Sequence, residues 1–531
     1  MKDLPTGLQE FEYIRKADAL YIDKTILIHK LVSGARKQYF ISRPRRFGKT
    51  LLCWTLNALF SGKRGLFEGL AISKTDWAWE SYPVIHLDMN KVCTTRGPNG
   101  VEETLAEQTE YIAKEHGIDL SGVTIPGSML TRLIIETAKK HGKPAVVIVD
   151  EYDKPFLDLY SDPPMAVEIR KVMRGYYSQL KSNEPHMRFL FMTGISKFSK
   201  AGVFSVLNNL NDLSMDKKFG TMLGYTEEEL VDYFGEYITA TAQSLSVTAD
   251  ELIDKMRHHY NGFCFDGVQK VYCPFSVLNF FQSEEFGNFW TESGSPRLIA
   301  EYMKGRSLTV EQFREMQVSL KFARDPGEIE TAPPESFLYQ AGYLTLRERN
   351  GEMFSLDYPN AEVLDSMSEL VCNNMINHGG DFIDLRTPLL KALHGGKSEL
   401  VVHTLNRLLA GIPYDDYTKA AEQAVLYSDV EITTQEWLYR STILAFLRGC
   451  GVLTFGEMHS SQGRSDLLVI HNSVPWIIEI KVAKNNDNAT KAKEAMTQIN
   501  DRQYGGPYKN AKKLAIAIDD GKRQIVEWIA A

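Results

Sequence analysis

Continuous apolar runs, alternating runs and amphipathic stretches follow one another along this chain in an order that predicts α/β structure near both ends and helical, connecting structure between them. Pro144 to Val149 reads Pro-Ala-Val-Val-Ile-Val, which suits a strand buried on both faces of a parallel sheet. Gln38 to Ile41 and Arg188 to Met192 predict two more strands, and Leu51 to Phe60 predicts a helix just after the first of them. Thr226 has the position of an N-cap with Glu229 as its capping-box partner, and an apolar stripe continues from there to Tyr237 as the expected start of a helical lid. Ser336 to Tyr343 reads as helix, and Leu344 to Arg349 pairs across Asn350-Gly351 with Met353 to Leu356 as a hairpin, the outline of a small winged-helix module. Thr387-Pro388, Gly395-Gly396 and Gly411-Ile412-Pro413 mark joints. Beyond them, Glu436 to Phe446 reads as helix, Arg464 to Ile470 and Trp476 to Val482 as strands joined by a turn at His471 to Pro475, and Ala489 to Asn500 as helix. No run of eighteen apolar residues occurs, so no membrane span is expected.

Chemistry enters where the strands end. Arg43-Pro44-Arg45-Arg46-Phe47-Gly48-Lys49-Thr50 lies between the first strand and its helix, the context of a phosphate-binding loop. A glycine before Lys-Thr lets backbone amides point into an anion, so Arg46, Phe47 and Gly48 are expected to line the phosphates. Lys49 would reach the outer phosphates, and the Thr50 hydroxyl would ligate magnesium. The expected ligand is ATP. The generic pattern has a glycine where this chain has Arg43. The buried strand ends in Asp150-Glu151-Tyr152-Asp153, at the carboxyl edge where open α/β sheets bind ligands. Asp150 is expected to hold the magnesium and Glu151 to polarise the attacking water. The third strand runs into Thr193-Gly194-Ile195-Ser196, which makes Thr193 and Ser196 candidates for sensing the γ-phosphate, or ordinary strand-end hydroxyls.

The C-terminal hairpin carries Asp466, Glu479 and Lys481. Strand alternation puts Glu479 and Lys481 on one face, and pairing can set Asp466 beside them. Two carboxylates and a lysine suit magnesium and in-line attack on a phosphodiester. Charges that interrupt an otherwise apolar strand are costly unless paired or metal-bound, which favours a site over chance. Glu436 could add a further acidic group, and for both Glu436 and Tyr504 a plain packing or solvated role is the alternative.

Taken together these motifs resemble bacterial predicted AAA-ATPase-like proteins with a C-terminal PD-(D/E)XK nuclease domain. The resemblance rests on Tyr21-Ile22-Asp23-Lys24-Thr25, the loop from Arg43 to Thr50, Asp150 to Pro155, Thr193 to Ser199, Tyr260-Asn261-Gly262-Phe263 and Tyr272 to Val277. In the nuclease half it rests on Gly463-Arg464-Ser465-Asp466, Glu479-Ile480-Lys481 and Gln498-Ile499. It implies that Arg43 is a family trait and that Gln498 joins the catalytic set. It also implies an α/β fold: an additional-strand, AAA-like P-loop domain with lid over 1–285, a helical and winged-helix-like region over 286–415, and a PD-(D/E)XK nuclease-like domain over 416–531.

A chain of 531 residues with 44% hydrophobic content has room for two or three domains. Six scattered cysteines without a Cys-x-x-Cys pair read as reduced thiols, and the N-terminus lacks the apolar core of a signal peptide, so the cytoplasm is expected. The net charge of −8 argues against a generally basic nucleic-acid binder. Local positive charge at Lys481, Lys484, Lys491, Lys493, Arg502, Lys509, Lys512 and Lys513, interleaved with Tyr504 and Tyr508, could meet a phosphate backbone or form a solvated face. Three readings follow. The first is an ATPase that controls a magnesium-dependent nuclease, with DNA favoured over RNA as substrate. The second is a nucleotide-dependent switch or scaffold with an inactive nuclease fold. The third is an ATP-binding regulator of a protein partner. Self-association is open in all three, and Arg45, Arg46, Arg170 and Arg174 are each candidates for an arginine finger.

Overall fold

The structure, a computed structural model, describes residues 1–159, 162–197, 207, 209–293, 296–303, 306, 308–319, 322, 332–375, 381–411, 434–460, 463–472, 474–484, 487–501 and 510–531. Arg502, Tyr504, Tyr508 and Lys509 lie outside the described residues, as do Phe198, Ser199, Ile412 and Pro413. The chain packs as two compact units, 1–298 with 315–362 and 299–314 with 363–531. Among the described residues no helix is long and apolar enough to cross a membrane.

In the first unit β1 (Gln38–Ser42), β2 (Val84–Asp88), β3 (Ala145–Asp150), β4 (Met187–Gly194) and the short β5 (Asn211–Asp212) form a parallel sheet in the order β2-β3-β4-β1-β5. β4 is the additional strand, inserted between the strand that leads to the loop and the strand that ends in Asp150. All six residues of β3 are buried, the first five apolar as a strand covered on both faces requires and the last the carboxylate of Asp150. Leu87, Val147, Val149, Leu190 and Met192 face a core shared with helices 97–115, 126–141 and 163–182. The alternate residues of these strands face α1 (Lys49–Phe60) on the other side.

Beyond the sheet, α2 (Glu227–Ser244), α3 (Ala249–Tyr260) and α4 (Pro274–Ser283) share a core built on Leu230, Phe234, Leu252, Met256, Val277 and Phe280. Thr226 and Glu229 form the expected capping box, and Thr248 with Glu251 forms another at the start of α3. The Asn261-Gly262 turn follows at once. Gly262 has φ of 110°, and a Cβ there would lie 2.0 Å from the Pro359 carbonyl oxygen. His259 packs edge-on to Tyr260 and Phe286, as a packing residue would. The expected helix and hairpin appear as α5 (Pro334–Ala341), β7 (Thr345–Asn350) and β8 (Met353–Asp357), and a further strand, β6 (Met316–Ser319), pairs with β8. β6 alternates as Met-Gln-Val-Ser, but at four residues it is too short for that alternation to single it out in the sequence.

The second unit contains a five-stranded sheet in the order β9-β10-β11-β12-β13: Leu453–Ser460, Gly463–His471, Val474–Ala483, Lys512–Asp519 and Gln524–Ala530. Its β10–β11 hairpin is antiparallel, and α7 (Asn488–Asp501) crosses over to set β12 parallel to β11. α6 (Thr434–Gly449) packs against β9, β10 and β11. Thr387-Pro388 is not a joint: it lies inside the helix Asp381–His394, which ends at Gly395-Gly396. Trp476 is fully buried and its indole donates to the Leu393 carbonyl at 3.1 Å.

Candidate functional sites

β1 delivers the chain into the loop, where Arg46 (φ 69°) and Gly48 (φ 89°) both adopt left-handed backbone. Left-handed residues flanking Phe47 in this way turn backbone amides to one side, the concave arrangement that receives anions. Gly48 then caps α1 and Lys49 begins it, so the helix N-terminus faces the same space. The lysine is buried: Nζ donates to the carbonyls of Arg43 and Pro44, both at 3.1 Å, and pairs with Glu151 Oε1 at 3.2 Å. The loop, Tyr21, Lys24, Asp88, Glu151 and Phe275 line a cavity of about 580 Å³, within the range of small-molecule sites.

Asp150 ends β3 almost fully buried, with Oδ1 lacking a hydrogen-bond partner among the described residues. Burial first, and then the neighbouring Glu151, push its pKa up to about 6, while the Thr50 hydroxyl donates to it and opposes that rise. A buried carboxylate oxygen without a partner, next to a hydroxyl at a helix start, fits a magnesium ion's preference for oxygen ligands. Glu151 has φ of 55°, a left-handed conformation that costs a non-glycine residue on the order of 1 kcal/mol or more. Thr193 lies beside Ile41 of β1, its hydroxyl buried and without a hydrogen-bond partner among the described residues. Ser196 is differently placed, since its hydroxyl and amide both donate to Asp153 Oδ2, at 2.8 and 2.7 Å. Asp153 also accepts from the Ile195 amide and thereby fixes the turn after β4.

The side chains behind the loop explain motifs whose roles the sequence left open. Arg43 is 1% exposed; its guanidinium donates to the carbonyls of Ser42 and Ser214, both at 2.8 Å, and lies 4.1 Å over the Phe265 ring. It is a strut beneath the loop. Phe47 turns its side chain into Phe263 and Phe265, so what it offers the cavity is its backbone. The Trp290 indole donates to the Arg45 carbonyl at 3.0 Å, and Phe275 lies beneath the Arg46 guanidinium at 4.7 Å. Glu362 accepts from the Trp290 amide at 2.7 Å and from Ser276 at 2.9 Å, and burial pushes its pKa up to about 8. Nothing in the spacing of Trp290 or Glu362 signals this, because Trp290 reaches the loop from more than two hundred residues away and Glu362 acts on it only through Trp290.

In the second unit the predicted trio comes together. The Asp466 amide donates to Glu479 Oε2 at 3.1 Å, the Ile480 amide donates to Asp466 Oδ2 at 2.8 Å, and Lys481 Nζ is 3.9 Å from Glu479 Oε1. Glu436 joins them: on α6 it accepts from Lys481 at 3.0 Å, and Arg440, one turn on, is 3.7 Å from Asp466. Arg440 had no sequence signal beyond that helical spacing. Glu479 is fully buried with Oε1 unbonded among the described residues; burial first, then Asp466, drive its pKa upward. Burial pulls the Lys481 pKa down, but Glu436 and Asp466 outweigh it and the net shift is upward. Two buried carboxylates this close, one with a spare oxygen, fit a hard cation. Gln498 is half-buried on α7, the helix packed across β11 and β12. Of the flanking lysines, Lys491 pairs with Glu494 at 2.7 Å and Lys513 donates to Asn500 at 2.7 Å, while Lys484, Lys493 and Lys512 are exposed.

Comparison with known proteins gives two family matches: a predicted AAA-ATPase over residues 5–204 and the PD-(D/E)XK nuclease superfamily over residues 434–528. An uncharacterized protein in the vnfD 5′ region of Azotobacter chroococcum mcd 1 is 31% identical over 516 residues, spanning 96% of this chain and 94% of its own. Among solved structures, the Aeropyrum pernix ORC2 protein in ADPNP and ADP complexes is similar at 14% identity and a TM-score of 0.25, over 66% of this chain and 90% of its own. The Aeropyrum pernix ORC1 protein in complex with DNA is similar at 13% identity and a TM-score of 0.27, over 84% and 88%. Likeness at that level extends to neither ligand nor partner.

Proposed function

As the chain belongs to the predicted AAA-ATPase family and ends in a domain of the PD-(D/E)XK nuclease superfamily, we propose that it binds and hydrolyses ATP with magnesium and that this ATPase controls a magnesium-dependent nuclease in its second unit. The observation that carries the nuclease reading is Glu479, fully buried with a spare oxygen beside Asp466 and within reach of Lys481. A carboxylate in that setting is costly unless a cation uses it.

In this proposal the loop amides of Arg46, Phe47 and Gly48 receive the phosphates, Lys49 grips the outer ones, and Thr50 with Asp150 holds the magnesium. When a phosphate takes Lys49, the Lys49–Glu151 pair opens and Glu151 is released to orient water. Thr193, at the end of the inserted strand, meets the γ-phosphate; Ser196 supports it through Asp153. Asp466 and Glu479 hold the second cation, Lys481 positions the attacking water, and Glu436, Arg440 and Gln498 complete the surroundings. Bound magnesium would neutralise phosphate charge at both sites. The substrate is a nucleic-acid phosphodiester, with DNA the first to test.

Magnesium-dependent cleavage of linear and circular DNA and of RNA, with and without ATP, tests this against Asp466→Ala and Lys49→Ala. Cleavage should vanish in Asp466→Ala and lose its ATP response in Lys49→Ala. Intact protein that hydrolyses ATP but cuts nothing would favour a nucleotide-dependent switch acting on a protein partner.

A further inference from the structure

We propose that Cys53, His86 and Asp150 form a second metal site on the α1 side of the sheet, sharing Asp150 with the magnesium site proposed above and suited to a transition-metal ion of the zinc class. Strand alternation brings them together. β2 and β3 pair with Asp88 beside Asp150, and Ile85, Leu87, Val147 and Val149 point into the opposite core, so His86 and Asp150 project toward α1. Cys53, one turn beyond Lys49, is fully buried on that helix. One ligand atom from each residue lies within 4.8 Å of the other two. Zinc bonds of about 2.0–2.3 Å would draw these atoms together by roughly 1 Å, which side-chain torsions can supply.

Two further observations point to a ligand. His86 Nε2 and Asp150 Oδ1 are both buried with no hydrogen-bond partner among the described residues, and a cation shared between them would satisfy both. Trp54 packs edge-on against the imidazole, with ring centroids 4.7 Å apart, and fixes its plane. Thr50, His86, Asp88 and Asp150 also line a cavity of about 720 Å³, which shares Thr50 and Asp88 with the one over the loop and leaves the fourth position of a tetrahedral ion open to water. A set of sulfur, nitrogen and oxygen donors selects zinc-like ions, whereas magnesium avoids thiolate. On binding, the thiol proton passes to solvent. Because Asp150 can face only one ion at a time, such a metal would compete with ATP-bound magnesium; that consequence rests on the ATP reading, while the site itself does not.

The test is titration of the full chain with Co²⁺, a coloured substitute for zinc, in buffer without nucleotide. We expect one equivalent to produce a thiolate-to-cobalt charge-transfer band in the near ultraviolet, bleached by Zn²⁺ and absent in Cys53→Ala. Should Cys53→Ala fail to fold, His86→Gln carries the same test through at least a tenfold loss of Co²⁺ affinity. No band at saturating Co²⁺, or an unchanged band and affinity in a folded variant, overturns the proposal. ATP hydrolysis is then read separately: micromolar Zn²⁺ should inhibit intact protein at least tenfold more strongly than Cys53→Ala. Equal inhibition of the two, with the band intact, would instead count against the role of Asp150 in ATP turnover.

Discussion

Arg43 departs from the generic loop, and its surroundings give the departure a mechanical meaning. A guanidinium that is 1% exposed and spends its donors on the Ser42 and Ser214 carbonyls cannot reach a phosphate, but it ties the loop's start to the chain after β5. Arg43→Gly, which restores the generic pattern, should therefore destabilise the first unit by about 2–4 kcal/mol, since it strips two buried carbonyls of a charged donor. Nucleotide affinity should fall with it; denaturant unfolding and binding of a fluorescent ATP analogue would show both. Glu362 offers a second test. Its pKa is raised from 4.5 to about 8, chiefly by burial. The stability contributed by the protonated form is fully present below pH 4.5 and is lost as pH rises through about 8, at no more than about 1.4 kcal/mol per pH unit. Glu362→Gln keeps an oxygen to accept from Trp290 and Ser276 but cannot ionise. Melting temperatures measured between pH 5 and 8 should fall more steeply for the intact protein than for the variant, whose remaining slope comes from Asp150 and the other buried carboxyls with raised pKa values.

At the level of elements, what the sequence made legible was whatever physics confines to a short stretch. β3 announced itself because a strand buried on both faces must be apolar throughout, and α2 because a capping box is four residues long. The Asp466, Glu479 and Lys481 cluster was legible for the same reason: a hairpin brings its two strands together locally. Elements held by distant partners were not legible. β6 is recognised only by its pairing with β8, and Pro388 reads as a break although the helix 381–394 runs through it. The Asn261-Gly262 turn shows both sides. Its glycine is readable as a turn, but the Pro359 carbonyl that forbids a side chain there lies almost a hundred residues on. Gly262→Ala combines a positive φ with a Cβ placed 2.0 Å from that oxygen, so it should cost at least about 2–4 kcal/mol in denaturant unfolding. Loss should be smaller for Thr248→Ala, which removes a cap worth about 1 kcal/mol. A reversed order would mean that the turn relaxes.

For the whole molecule the net charge of −8 decides how a nucleic acid could bind at all. A polyanion is repelled by most of this surface, so its attachment to the second unit must be carried by few phosphates. Lysines near Glu479 are already partly engaged, Lys481 with Glu436 and Lys491 with Glu494. Two to four neutralised phosphates would give a slope of about −2 to −4 for log affinity against log salt, shallow for a DNA-binding protein. Without metal, Asp466 and Glu479 put two carboxyl groups, the second with its pKa driven upward by burial, where the proposed function would bring a phosphate. Neutralising one of them as Asp466→Asn should tighten DNA binding in EDTA several-fold by removing that repulsion, even as it abolishes magnesium-dependent cleavage. Fluorescence anisotropy at low salt measures the first effect and a nicking assay the second. If intact protein and Asp466→Asn both fail to bind DNA or RNA at low salt, the phosphodiester reading of the carboxylate cluster falls and the reading as a switch acting on a protein partner is favoured.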